Sequence, residues 1–127
     1  MNGNKALLDS NIIIYLSKRQ LPFSFLDRFE SVYISVISYM EVLGYNFIDS
    51  REENFVNELV LLFNVRFIDQ KIANSVIDIR KKFQIKLPDA IIAATAMIDD
   101  LCLITRNIED FKKTECALLN PFDDFHP

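Results

Sequence analysis

The sequence predicts an α/β domain with a mainly parallel sheet. Three observations carry that expectation. Short apolar, β-branched stretches recur along the chain, each followed by a longer segment with helical spacing, and strands that alternate with helices indicate a parallel sheet. At 127 residues, half of them hydrophobic, with eleven Phe and only two Gly, the chain fits one domain, residues 1–127, with a sizeable core. No internal repeat, low-complexity tract or Gly/Ser linker divides it.

The elements read as follows. "KALLD" is a short buried strand ending in Asp9, with Ser10 and Asn11 as caps for a helix through "IIIYL". A second helical piece runs from about Pro22 to Phe29. "SVYISVI" is β-branched and reads as a strand, followed by helices from about Ser38 to Phe47 and from about Arg51 to Phe63. "VRFI" is a short strand. Residues from about Gln70 to Phe83 form a helix whose buried face is Ile72, Ala73, Val76 and Phe83. "LPDAIIAATA" opens another helix, with Pro88 suited to its first turn. The strand "LCLIT", a short helix near "EDFKK" and a last strand "ALLN" complete the chain.

Composition excludes several classes. The net charge of −4 does not advertise nucleic-acid binding, so such a role must rest on local basic patches. Cys102 and Cys116 form neither a disulfide framework nor a CxxC site, which reads as a reducing, cytoplasmic setting. The apolar stretch near the N-terminus is too short for a signal peptide, and the charge-free run from Ala90 to Ile98 is too short to span a membrane. A single histidine, His126, does not build a His-rich zinc site.

Of the eighteen acids, Asp27, Glu30, Glu52, Glu53, Glu58, Asp78, Asp99 and Asp100 read as solvated charges. Four others have less comfortable settings. Asp9 directly follows a buried strand. Glu41 sits at the margin of a helical face made by Ile37, Met40, Gly44, Phe47 and Ile48. Asp89 opens an apolar helix, and Asp110 follows "LCLIT". Each has a plain structural explanation. Asp9 can cap a helix, Glu41 can reach water from a helix edge, Asp89 can complement a helix dipole, and Asn107 with Asp110 can form a capping pair. Against this, ligands of parallel sheets gather beyond the carboxyl ends of the strands, and Asp9 and Asp110 both map there.

The blocks "LLDSNIIIYL", "ISVISYMEVLGY", "LPDAIIAATA" and "LITRNIEDF" occur in one order that resembles the motif blocks of PIN domains, and more narrowly of VapC-type ribonuclease toxins. The likeness runs from Ala6 to about Phe122, and "NPF" after the last strand also fits. It implies a three-layer α/β/α sandwich with strand order 3-2-1-4-5. It also implies a divalent-metal site, Mg²⁺ or Mn²⁺, on Asp9, Glu41, Asp89 and Asp110, and metal-assisted hydrolysis of RNA. Such hard cations prefer oxygen ligands. Ser10 stands where the family often has Thr and keeps the hydroxyl. Asn11 and Thr105 match pocket positions that hydrogen-bond water or substrate. Arg106 and Lys112, which flank Asp110, are the foremost RNA-binding candidates. Further cations are Lys18/Arg19, Arg80/Lys81/Lys82, Lys86 and Lys113, each of which also fits a solvated helix end. The expected partners are an RNA substrate, a cognate antitoxin and a second copy of the chain. Phe and Tyr exposed on residues 38–63 and near 22–29 would supply the interfaces.

Two other readings stand beside this one. A PIN fold can serve as a catalytically silent partner-binding module, which would bind Mn²⁺ without cutting RNA. An aspartyl-phosphate protein also uses acids at strand ends, but "LLDSN" lacks the Asp-x-Asp of one such class and the paired acids of the other.

Overall fold

β1, Lys5–Leu8, alternates its side chains between two apolar layers. Ala6 and Leu8 face one layer and Leu7 the other, so the strand is covered on both sides and has no solvated face. The computed structural model describes residues 4–123, and around this strand it forms a five-stranded, all-parallel sheet. The other strands are β2, Ser31–Ser35, β3, Asn64–Arg66, β4, Cys102–Ile104, and β5, Leu118–Leu119. Their order is β3-β2-β1-β4-β5, the one the resemblance implied. Because β1 pairs with both β2 and β4, Leu8 stands beside Ile34 on one side and Ile104 on the other.

Helices cover both faces, completing the α/β/α sandwich. Ile12, Ile13 and Leu16 of α1, Ser10–Ser17, pack against Val56, Leu59 and Val60 of α3, Ser50–Val60, with Leu21 and Phe25 filling the same layer. On the other face, Ile72, Val76 and Ile79 of α4, Gln70–Lys82, meet the apolar length of α5, Leu87–Ile98, with Phe111 of α6, Ile108–Phe111. Burying each such aliphatic side chain contributes roughly 1.5–3 kcal/mol. α2, Val36–Leu43, sends Val42 into the first layer while Ile37 packs on the second, so it lies across the boundary between them.

Several boundaries differ from the expectation. "SVYISVI" stops being a strand at Ser35, whose hydroxyl accepts the Ile37 amide at 3.1 Å and caps α2, so Val36 and Ile37 are helical despite their β-branching. α2 then ends at Leu43 rather than Phe47. The Gly44 amide closes the helix on Met40 O at 2.9 Å, and a Cβ there would lie 2.7 Å from that oxygen. The next helix ends at Val60, not Phe63. The cap of α1 is Asp9, not Ser10 or Asn11. In α4 the buried face is Ile72, Val76 and Ile79, while Ala73 and Phe83 are half-buried. Pro22–Phe29 is helical as expected, but as a tight 3-10 helix, Phe23–Arg28.

Asp99 is not a solvated charge. Arg66, at the end of β3, donates to both of its oxygens, at 2.5 and 3.2 Å, and to Asp69 at 2.9 Å. Asp69 in turn caps α4 through the Ile72 amide at 2.9 Å. One guanidinium thereby joins an edge strand to the end of one helix and the start of another, and its fork geometry permits the paired contact. Arg66→Ala should lower stability modestly, chiefly through the half-buried Asp99, which loses its paired donor, with the more exposed Asp69 adding little. Arg66→Lys should fall in between, and urea denaturation of the three proteins measures it.

Candidate functional site

Asp9 is the first residue beyond β1, and it is only 7% exposed. A nearly buried carboxylate needs donors for both oxygens, and the sheet register supplies them. Since Leu8 is paired with Ile104, Asp9 falls next to Thr105. The Asp9 amide donates to Ile104 O at 3.0 Å, and the fully buried Thr105 hydroxyl donates to Asp9 Oδ2 at 2.8 Å. The other oxygen, Oδ1, accepts the Ser10 amide at 2.8 Å and so caps α1. The plain cap explanation is therefore true of one oxygen only. Burial raises the pKa of Asp9 and the negative charges of Glu41 and Asp110 raise it further, while the Thr105 and Ser10 hydrogen bonds oppose them.

Glu41 reaches the same place from α2. The buried face of that helix is Ser38 and Val42, not the face through Met40 and Ile48, which are 54% and 105% exposed. Glu41 is on the open side, where Ser10 Oγ donates to its Oε1 at 2.7 Å. Ser10 Oγ also lies 2.9 Å from Ser38 Oγ. A hydroxyl has one proton, and the carboxylate takes that of Ser10, so Ser38 supplies the proton between the two serines. Elsewhere helical hydroxyls turn back on their own helix, as Thr95 does to Ile91 O at 2.7 Å and Ser17 to Ile14 O at 2.7 Å. Ser38, wholly buried, is instead directed at Ser10.

Asp89 enters from the first turn of α5, and Asp110 from α6. Burial raises the pKa of Asp89, and Asp9, Asp110 and Glu41 add to it, with Lys86 opposing. A helix N-terminus alone would lower it. Burial first, and the repulsion of its neighbours second, therefore outweigh the dipole, and the dipole explanation does not suffice. All four carboxylates line one cavity of about 540 Å³, together with Ser10, Asn11 and Asn107. The four are carried on separate segments, after β1, in α2, in α5 and in α6.

A profile of the PIN domain family matches residues 6–115. The chain belongs to the PIN domain family. Proteins of this family are generally nucleases. A toxin–antitoxin complex from Klebsiella pneumoniae contains a chain 34% identical to this PIN domain, covering 91% of it and 97% of the other, with a TM-score of 0.74. FitAcB from Neisseria gonorrhoeae is 27% identical, covering 92% of this chain and 98% of that one, with a TM-score of 0.75. DNA-bound VapBC from Salmonella typhimurium shares the fold at a TM-score of 0.79 and 23% identity, over 95% of this chain and 99% of that one. No curated protein matches the chain.

Other nominated residues of this PIN domain are placed differently from the expectation. Thr105 does not line the cavity. It lies behind Asp9, donating to it and accepting the Asn107 amide at 3.0 Å. Asn107 precedes α6 without a side-chain cap bond, so the capping pair with Asp110 does not form, and Asn107 lines the cavity instead. Glu52, read as solvated, also lines it. Arg106 lies over the rings of Phe122 and Tyr15, 4.3 and 5.4 Å from their centroids, and Lys112 pairs with Glu109 at 2.8 Å. Neither lines the cavity, whereas Lys18 does. His126 lies outside the described residues. Ser38 was missed by sequence reasoning, although its position three residues before Glu41 puts both on adjoining turns.

Two outcomes test this electrostatic picture. Raised pKa values mean that the native state keeps protons the unfolded state has released above pH 3.8, the ordinary carboxyl value. The stability contributed by Asp9 and Asp89 is then full below that pH and is lost as pH rises through their folded values. Asp89→Asn should raise the melting temperature of the chelated protein at neutral pH by a few degrees, and this gain should shrink toward pH 3.8. A dipole partner alone would give a loss of roughly 0.3–1 kcal/mol instead. Thr105→Val should cost about 1–3 kcal/mol at neutral pH, where Asp9 is deprived of a donor. The pH series of thermal melts reads both.

Proposed function

We propose that this PIN domain is a divalent-metal-dependent endoribonuclease, the toxin of a toxin–antitoxin pair working in the cytoplasm. The observation that carries the reading is the convergence of Asp9, Glu41, Asp89 and Asp110 on one cavity beyond the strand ends. Clustering like charges there is unfavourable unless a cation or a reaction uses them. The donor set is all oxygen, which suits Mg²⁺ or Mn²⁺. Among the described residues no three Asp, Glu, His or Cys are gathered tightly enough to clasp an ion directly. That still fits Mg²⁺, which keeps several waters and uses one or two carboxylates.

Asp9 and Asp89 would hold the ion, with Glu41 and Asp110 completing its shell or orienting water. When bound, it supplies a polarised phosphodiester and a bound water of lowered pKa. The remaining roles belong to the chain itself. Ser10, steadied by Ser38, keeps Glu41 from rotating into solvent, and Thr105 fixes the rotamer of Asp9. Asn11 and Asn107 offer neutral donors and acceptors to the substrate. The products expected are a 5′-phosphate and a 3′-hydroxyl.

The partner reading draws support from the surface and the neighbours. The Klebsiella chain comes from a toxin–antitoxin complex, and a cognate antitoxin is the natural partner here. Tyr39, Met40, Tyr45 and Ile48 are exposed, as is Phe23. Such apolar area supports a homodimer as well as an antitoxin interface. No described helix is long and apolar enough to cross a membrane, and both cysteines are free thiols, in keeping with a reducing compartment.

RNA cleavage should require Mg²⁺ or Mn²⁺ and stop on chelation with EDTA. Asp9→Asn should fall to background while keeping the far-ultraviolet circular dichroism of the parent. Cleavage that survives complete chelation would end the metal reading. Mn²⁺ binding without cleavage of any RNA in a broad panel would turn the assignment to a partner-binding module.

A further inference from the structure

The chain is acidic overall, with a sequence pI of about 4.9, so an RNA strand needs a local surface that reverses the sign. Beside Asp110, Lys112 shares its charge with Glu109 and Arg106 lies over two rings. A second concavity, about 480 Å³, opens where α4 passes into α5. It is lined by Arg80, Phe83, Gln84, Ile85 and Lys86, and no acid lines it. Lys81 and Lys82 share the last turn of α4 with Arg80, and none of these four cations is in an ion pair with a described residue.

This trough adjoins the start of α5, the helix that carries Asp89 to the carboxylate cavity. Lys86 is the N-cap of α5, three residues before Asp89, and its charge is felt by that carboxyl. The opposite wall is also tied in, because Lys113, just beyond α6 and Asp110, donates to Gln84 O at 2.6 Å. The two segments that bring Asp89 and Asp110 to the cavity thus also border the trough. Half-buried Phe83 and Ile85 add an aromatic and an aliphatic side chain to a groove edged by Arg80 and Lys86. Cations along a backbone track with an aromatic side chain for the bases are what single-stranded nucleic acid requires. The patch is confined to one helix end and one loop, too small to follow both strands of a duplex.

We infer that the trough lined by Arg80, Phe83 and Lys86 binds the single-stranded RNA that flanks the bond held at the carboxylates. This rests on the nuclease reading above and adds to it the path of the substrate. The test is binding of fluorescein-labelled oligouridylate, about 16 nucleotides long, to the full chain in EDTA, by anisotropy across a salt series. Arg80→Glu and Lys86→Glu should each weaken binding about ten-fold, and the log–log salt slope should fall by about 0.7 for each phosphate no longer neutralised. Lys71→Glu makes the same change in net charge in the first turn of α4, away from the trough, and should leave affinity unchanged. The inference is overturned if the trough variants bind as the parent does. It is equally overturned if Lys71→Glu weakens binding as much, which would make the effect one of bulk charge. It also falls if hexaglutamate occupies the trough while RNA affinity is indifferent to Arg80 and Lys86. In those three cases RNA cleavage by the parent chain leaves the nuclease reading standing. A parent chain that neither binds nor cleaves any RNA removes both.

Discussion

A carboxylate nearly out of water has to be satisfied from within the protein, and the structure turns on how Asp9 meets that demand. One oxygen starts α1 by accepting the Ser10 amide, and the other is held by Thr105 across the β1–β4 boundary. The first donor is local, but the threonine is in place only if β1 and β4 are in their observed register. A slip of one residue would exchange the two apolar layers and also leave Asp9 without its threonine. Packing and polar satisfaction therefore select the same alignment, as in sequences whose local and global preferences agree.

The same alignment sets the rest of the cavity. Ser35 follows Ile34, the partner of Leu8, and by capping α2 it fixes where that helix begins. Ser38 and Glu41 then fall one turn apart, one directed at Ser10 from within and the other accepting from it at the cavity wall. Three serines and a threonine thus hold Asp9 and Glu41 in place without adding charge. A site made of carboxylates can be built rigidly in this way, because neutral hydroxyls contribute donors that do not cancel the negative potential a cation would seek.

Much of this was legible in the sequence, for reasons that also explain the failures. Buried strands and helices announced themselves by apolar runs, and the motif blocks placed the acids. What periodicity could not show was a change of state inside one β-branched run, where Ser35 ends a strand and starts a helix. It could not show pairs far apart in sequence either. Arg66 finds Asp99, and Thr105 finds Asp9, only through the sheet. The apolar face through Met40 is not the buried one, because α2 lies across the boundary of the two layers and buries small Ser38 and Val42. Nearness in sequence to Asp110 likewise says nothing of Glu109 beside Lys112 or the rings beneath Arg106.

The topology has a consequence for how the molecule comes into being. β1 lies at the centre of the sheet, yet one of its two neighbours, β4, enters about a hundred residues later, and the acids follow the same spread from Asp9 to Asp110. Contacts this distant along the chain require a large loop to close before they return any stabilisation. β1 and β2, with the helices between and after them, can associate early, when only Asp9 and Glu41 are present and their mutual repulsion is modest. The third and fourth carboxylates join once α5, β4 and α6 are packed. A chain still emerging during synthesis therefore lacks the assembled cavity until α6, which carries Asp110, has been made. Whatever chemistry the four acids perform is withheld from any copy that stops short of Asp110.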